Sequence, residues 1–191
     1  MLKNKCLYPV VLFLVFILVF CSKPHYNKVT DCIYIENGLN MDEVNTAQNY
    51  LDCMPECIRT KFTDGGWKII IARKIGRGRQ YDVAGHTSIE DKTVYIVSGH
   101  VYDCLLHEFA HIYLDEHPYG DDFLEVFEKE AKAMVTAYFS DFDYYYTDPV
   151  EFYCTAWTVV NFRKKDYLGV APQTFAYFTD LFNRLYGIEE A

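Results

Sequence analysis

Apolar residues recur at helical spacing in the middle of the chain, between residues 101 and 117. Leu105, Phe109 and Ile112 form one apolar stripe, and neighbouring aliphatic and aromatic residues widen it. Because the apolar residues cover most of the circumference, we predict a largely buried helix. Pro118 lacks the backbone N–H that a continuing helix needs, so the helix is expected to end before it.

Four other segments show a helical pattern or a helix-start signal. Asp148-Pro149, for example, joins a residue that caps helix N-termini to one that is favoured in the first turn. The predicted segments are residues 41 to 61 with a bend near Pro55, a helix from about residue 121 with Phe123 and Met134 in its apolar stripe, a helix from Asp148, and a helix from Pro172 to about Gly187. The second half of the chain is therefore predicted to be mainly helical.

Short runs of β-branched and aromatic residues come before this helical half. The predicted strands cover residues 32 to 35, residues 67 to 73 and residues 93 to 97, with a further short strand within residues 83 to 88. A small sheet followed by helices is an α+β pattern. We therefore predict an α+β fold with a small mixed sheet and a mainly helical C-terminal half.

The first 21 residues have the features of an export signal. Lys3 and Lys5 precede an unbroken apolar run over residues 10 to 20, which is short for a membrane span of about 20 residues. Cys21 follows, as in lipoprotein signals, whose cysteine is lipidated, although Phe20 stands where that type prefers a small residue. An uncleaved N-terminal anchor is the alternative.

This signal predicts three parts of the chain and its location. Residues 1 to 21 form the signal, residues 22 to 40 a linker with the first strand, and residues 41 to 191 the folded domain. We expect an exported protein that is lipid-anchored at the cell surface or secreted. Membrane attachment would then run through the lipid on Cys21.

Charge and cysteine content narrow the partners and the covalent framework. The formal net charge of −9 argues against a nucleic acid as partner. Export permits disulfides, but five cysteines remain after the signal, an odd number that leaves the pairing open. They are Cys32, Cys53, Cys57, Cys104 and Cys154.

Residues 107 to 111 carry the pattern H-E-x-x-H within the predicted buried helix. His107 and His111 share one helix face, so their imidazoles can bind one Zn²⁺ while Glu108 acts as general base on a metal-bound water. A solvated surface helix with the same three polar residues is the alternative. Polar side chains in a mostly apolar helix are costly unless a ligand compensates them, which favours the metal site.

A hydrolytic zinc site needs a third protein ligand, and the residues offer two candidates. His117 fills the last position of the metzincin pattern, but Leu114 occupies the place of the glycine that turns that histidine back to the metal. Glu151 lies at the start of the helix that begins at Asp148, where it could equally be the fourth residue of a capping box. Spacing alone leaves both candidates open.

The segment from residue 144 to 153 resembles part of a known protease family. Tyr144 lies seven residues before Glu151, as in the anthrax lethal factor protease domain and the related secreted Pro-Pro endopeptidases. Residues 107 to 111 are similar to the zinc helix of that family, and residues 171 to 175 to the start of its last helix. The resemblance covers roughly residues 65 to 187.

The resemblance implies a zincin-like fold and assigns roles to five residues. His107, His111 and Glu151 would bind zinc, Glu108 would be the base and Tyr144 would stabilise the transition state. A tyrosine hydroxyl near the metal can donate to the oxyanion that forms on the attacked carbonyl.

One position departs from the glutamate-type zincins, many of which carry an acid one turn after the zinc-binding glutamate. Thr155 occupies that position here and brings no charge. Asp115 is the candidate for the carboxylate that orients a zinc histidine instead.

These observations predict an exported zinc endopeptidase, expected to act as a monomer. The substrate peptide would lie extended along the sheet edge near residues 83 to 89. Cleavage between prolines is an option that the resemblance raises, and the substrate is otherwise left open. The alternatives are a catalytically inactive surface-anchored binding protein on the same scaffold, and a metzincin-like protease that uses His117.

Overall fold

The chain folds around one mixed sheet of five strands. The computed structural model describes residues 25–75, 83–138, 144–161 and 169–188. The predicted signal and Cys21 lie outside these residues. In chain order the strands are β1 (Tyr26–Lys28), β2 (Ile33–Glu36), β3 (Lys68–Ala72), β4 (Gly85–Ser88) and β5 (Thr93–Val97). Their spatial order is β1-β2-β3-β5-β4.

Two helices lie between β2 and β3, and helices make up most of the described residues after residue 100. In chain order they are α1 (Asp42–Asp52), α2 (Glu56–Thr63), α3 (Val101–Glu116), α4 (Asp121–Tyr138), α5 (Tyr144–Thr147), α6 (Pro149–Asn161) and α7 (Pro172–Tyr186). The predicted α+β class, with a mixed sheet and a mainly helical second half, is therefore confirmed. In the described part of the chain, no helix is both long and apolar enough to span a bilayer.

Two short elements differ from the sequence prediction, and one predicted bend is a full break. The strand β1 and the single-turn helix α5 were not anticipated. Near Pro55 the chain leaves the helical conformation, with ψ of 153° at the proline, so α1 and α2 are separate helices. Each of the unanticipated elements has at most four residues, too few to show a period.

Strand β4 forms one edge of the sheet and has a defined hydrogen-bond register. It runs antiparallel to β5 and pairs Gly85 with Ile96 and Thr87 with Val94. One step further, the Val97 N–H donates to the Ala84 carbonyl at 2.8 Å. Because hydrogen-bonded and non-hydrogen-bonded pairs alternate, the backbone N–H and C=O groups of Gly85 and Thr87 point away from β5, towards the open edge.

The core between sheet and helices positions α3. Ile71 and Ile96 of the central strands are fully buried, as are Leu105 and Phe109 on the predicted apolar stripe of α3. Phe109 meets Phe62 of α2 edge to face, with ring centroids 5.4 Å apart. The helix is thus fixed on the sheet beside β4 and β5, and the face that carries His107 and His111 is left to contact the C-terminal helices.

Aromatic packing fixes α6 against the other C-terminal helices. Phe123 of α4 meets Tyr153 of α6 edge to face, with centroids 4.9 Å apart. Tyr153 in turn meets Phe178 of α7 at 4.8 Å, and Trp157 meets Phe182 at the same distance. Since large buried aromatics dominate core energetics, this cluster determines where the start of α6 lies.

The first turn of α7 is capped by a side chain from α4. Glu130 is buried, and its carboxylate accepts hydrogen bonds from the backbone N–H groups of Gln173 (3.0 Å) and Thr174 (2.7 Å) and from the Thr174 hydroxyl (2.9 Å). Ala171, at the N-cap position, offers no side-chain acceptor. Glu130 therefore satisfies N–H groups that would otherwise be buried and unpaired.

We expect Glu130→Gln to lower the free energy of unfolding by about 1–3 kcal/mol, because an amide has one acceptor oxygen for three donors. Urea unfolding followed by circular dichroism measures the change. Glu128→Gln is the matched control, since Glu128 is exposed on the same helix. Equal unfolding midpoints for the two variants would contradict the capping role.

Candidate metal centre

His107 and His111 project from the same face of α3, one turn apart. Their Nε2 atoms are 3.2 Å from each other. Burial lowers the pKa of His111 to about 4, and the neighbouring charge of His107 acts in the same direction. The His111 imidazole is therefore neutral near pH 7, with a lone pair available to a metal ion.

Glu151 reaches this pair of histidines from the first turn of α6. Its Oε2 lies 3.1 Å from His107 Nε2, and its Oε1 lies 3.7 Å from His111 Nε2. The helix is capped by Asp148 instead, whose Oδ1 accepts from the Val150 N–H at 2.8 Å. The two sequence interpretations of this segment are thus divided between two residues, with Asp148 at the cap and Glu151 facing the histidines.

The electrostatics of Glu151 favour its anionic form. Burial raises the pKa of its carboxyl, but the hydrogen bond to His107 and the electrostatic interactions with the His107 and His111 imidazoles outweigh that effect. Tyr144 also hydrogen-bonds to this carboxylate. The net pKa is below its ordinary value, so an oxygen anion faces two imidazole nitrogens.

Glu108 lies beside these residues but faces β4. It is 5% exposed, and its Oε2 accepts a hydrogen bond of 2.7 Å from the Thr87 hydroxyl. Burial raises the pKa of the Glu108 carboxyl, and the charge of His107 and the Thr87 hydrogen bond partly offset this. A buried carboxylate with a raised pKa is a better proton acceptor than a solvated one.

Two neighbouring tyrosines of α5 occupy different places at the centre. The Tyr144 hydroxyl bonds to Glu151 while 57% of the residue is exposed. Burial raises the pKa of Tyr144 and the Glu151 contact raises it further, so the hydroxyl keeps its proton at neutral pH. Tyr145 instead packs its ring against His107, edge to face, with centroids 6.0 Å apart.

Among the described contacts, neither of the other two sequence candidates, His117 and Asp115, hydrogen-bonds to this cluster. His117 follows the last residue of α3 and stacks on Tyr113, with ring centroids 4.6 Å apart and an interplanar angle of 5°. Tyr113 is two positions from His111, so it projects from the opposite side of the helix. Asp115 is exposed on the same helix.

Sequence reasoning gave no role at the metal centre to Cys154 and noted for Thr155 only that it brings no charge; both are buried on α6. The Cys154 thiol is fully buried, and its sulfur lies within 4.8 Å of a ring nitrogen of both His107 and His111. Thr155 is 2% exposed, and its hydroxyl has no hydrogen-bond partner among the described residues. Both lie one turn beyond Glu151, a spacing that could have indicated them.

The donor set fits a zinc ion. Two imidazole nitrogens and one carboxylate oxygen, drawn from His107, His111 and Glu151, are the ligands of many catalytic zinc sites. Cys154 offers a second set with the same histidines. Glu151 presents one oxygen to each histidine and is anionic, whereas burial raises the pKa of the Cys154 thiol well above its ordinary value.

The comparisons with known proteins agree with this fold. No protein-family model and no curated protein sequence matches the chain. Among solved structures, it is similar to the Pro-Pro endopeptidase (PPEP-2) from Paenibacillus alvei, with a TM-score of 0.56 and 18% sequence identity. The match covers 78% of this chain and 96% of that chain. At this identity the likeness shows a shared fold, and its α+β architecture is the one that the sequence predicted.

Proposed function

We propose that this chain is a zinc-dependent endopeptidase. The observation that carries the proposal is the convergence of His107, His111 and Glu151, whose nitrogen and oxygen atoms lie 3.1 to 3.7 Å apart. Glu108 lies beside them as a buried carboxylate. A protein that only binds zinc has no need of such a base, so Glu108 favours catalysis over the inactive-scaffold alternative.

Each residue has a distinct role in this proposal. A zinc ion held by His107, His111 and Glu151 would supply a Lewis acid that lowers the pKa of water and polarises a carbonyl. Glu108 accepts the proton of the attacking water and passes it to the leaving nitrogen. The Tyr144 hydroxyl donates a hydrogen bond to the oxyanion that develops on the carbonyl.

The open edge of the sheet at β4 is a suitable place for the substrate to bind. The outward N–H and C=O groups of Gly85 and Thr87 can pair with an extended peptide, which adds a strand to β4. Such pairing lays the peptide backbone beside Glu108. We propose this edge, within residues 83 to 89, as the substrate site.

Specificity for proline on both sides of the cleaved bond is the substrate preference that we propose first. The resemblance around Tyr144 and the fold shared with a Pro-Pro endopeptidase support it. A peptide library analysed by mass spectrometry tests activity and preference together. Cleavage at bonds without proline would reject this preference and leave the endopeptidase proposal standing.

Metal removal tests the proposal as a whole. The selected peptide is the one that the library shows to be cleaved best. We expect a chelator such as 1,10-phenanthroline to abolish its cleavage and stoichiometric Zn²⁺ to restore it, because the proposed mechanism needs a bound zinc ion. Zinc measured by atomic absorption should follow the activity. Cleavage that persists in metal-free protein would refute the proposal.

We expect Tyr144→Phe to lower kcat about 100-fold or more, since an oxyanion donor contributes on that scale. Steady-state kinetics with the selected peptide at saturating zinc provide the measurement. Tyr145→Phe is the comparison variant, because it keeps the ring against His107 and should be affected much less. An equal loss in both variants would contradict the assignment of Tyr144.

We also propose that the enzyme is exported and held at the cell surface by a lipid on Cys21. The charged and apolar pattern of residues 1 to 21 supports this proposal. Metabolic labelling with a palmitate analogue tests the anchor, and Cys21→Ala should lose the label.

The cysteines of the described residues are free thiols: Cys32, Cys53, Cys57, Cys104 and Cys154.

A further inference from the structure

We infer that strand β4 positions the general base as well as the substrate. On this inference, which rests on the proposed function, the Thr87 hydroxyl and the absence of a side chain at Gly85 together fix the carboxylate of Glu108. Thr87 and Gly85 are therefore positioning residues. Neither belongs to the H-E-x-x-H pattern, and Thr87 is 21 residues from Glu108 along the chain.

The Thr87 contact determines which oxygen of Glu108 is free to react. The hydroxyl lies 2.7 Å from Glu108 Oε2 and 3.1 Å from the backbone carbonyl oxygen of the same residue. A hydroxyl has one proton to donate, and the shorter contact to a charged oxygen is the stronger. Oε2 is thus occupied, and Oε1 is left as the oxygen that accepts a proton from water.

Gly85 provides the space for that second oxygen. A Cβ atom at position 85 would lie 2.5 Å from Glu108 Oε1 and 3.1 Å from Glu108 Cδ. Real Cβ contacts are not that short, so any side chain at position 85 would displace the carboxylate. Since Glu108 is buried, it has little room to move without leaving the site.

The contacts of Thr87 and Gly85 with Glu108 come from alternate residues of one strand. The same strand would therefore hold both the base and the substrate. In a strand, residues i and i+2 present their side chains to the same face. Gly85 and Thr87 therefore both face α3, while their backbone groups point to the open edge. The peptide that pairs with those backbone groups is held in register with the base by the same two residues.

Thr87→Val removes the hydroxyl and keeps the shape of the side chain. We expect kcat for the selected peptide to fall about 10- to 100-fold, because a hydrogen bond to a charged group is worth that factor. KM should stay within about twofold, since the outward backbone groups remain, and zinc content should be unchanged. Thr87→Ser keeps the hydroxyl donor and should retain most of the wild-type activity.

Gly85→Ala provides an independent variant on the same carboxylate. We expect an equal or larger loss of kcat, again with zinc bound, because the added methyl group displaces Glu108. The matched control is Thr93→Val on β5, whose hydroxyl bonds within the turn to Asp91 and not to Glu108. It should have near wild-type kinetics.

A double substitution separates positioning from general structural damage. In a Glu108→Gln background, Thr87→Val should cost little further activity, because the base that Thr87 positions is already lost. If the wild type cleaves the peptide, the proposed function stands. In that case full activity of Thr87→Val, or a loss in Thr87→Ser equal to that in Thr87→Val, would overturn the inference. A wild-type protein that cleaves no peptide would instead overturn both.

Discussion

Glu108→Gln should reduce peptide cleavage by about 100- to 10,000-fold, the range that a positioned general base contributes. Glutamine has nearly the same shape, and its amide oxygen can still accept from the Thr87 hydroxyl. It cannot take a proton from water at neutral pH. The prediction is therefore a loss of kcat in a protein that folds normally and binds one zinc ion.

Two measurements and one control make this result specific. Zinc content and thermal unfolding should match those of the wild type, since Glu108 is not one of the three proposed zinc ligands and glutamine keeps its shape. Asp115→Asn is the control, because Asp115 is an exposed acid on the same helix and should retain activity. Unchanged cleavage by Glu108→Gln would remove the basis of the proposed mechanism.

Glu151→Ala should weaken zinc binding by more than about 100-fold, since losing even an outer partner of a ligand costs 10- to 100-fold. The substitution removes the anion that lies 3.1 Å from His107 Nε2 and leaves only the two imidazoles as ligands. Competition with a fluorescent zinc indicator measures the affinity. Activity should fall in parallel at limiting zinc.

Two further variants test the rival ligands. His117→Ala should bind zinc like the wild type, because His117 stacks on Tyr113 beyond the end of α3. Cys154→Ser should also bind zinc, and the cobalt-substituted wild type should lack a thiolate charge-transfer band. A strong band that disappears in Cys154→Ser would show that the thiol, and not Glu151, is the third ligand.

The sequence was most informative where a pattern is local. Helical spacing predicted the burial of Leu105 and Phe109, and the H-E-x-x-H pattern placed His107 and His111 on one helix face. The resemblance, through a spacing of seven residues, selected Tyr144 and Glu151; Glu151 lies beside the histidines, and Tyr144 hydrogen-bonds to Glu151. The roles of these residues remain predictions until the variants are made.

The parts that could not be read from the sequence depend on contacts between distant segments. Whether Glu151 capped its own helix or faced the histidines depended on how the aromatic cluster around Tyr153 orients α6. Thr87 and Gly85 carry no motif, because their relation to Glu108 exists only once β4 lies beside α3. Cys154 lies one helical turn after Glu151 and so shares its helix face, but spacing alone does not say whether that face is turned towards the histidines.

The division of the ligands between two helices links folding to metal supply. His107 and His111 belong to α3, whereas Glu151 belongs to α6, 44 residues later. An ion bound to all three acts as a cross-link that the unfolded chain cannot form. At a free zinc concentration 100 times the dissociation constant, this linkage adds about 2.7 kcal/mol to stability. Resistance of the domain to other proteases should therefore rise and fall with the concentration of available zinc.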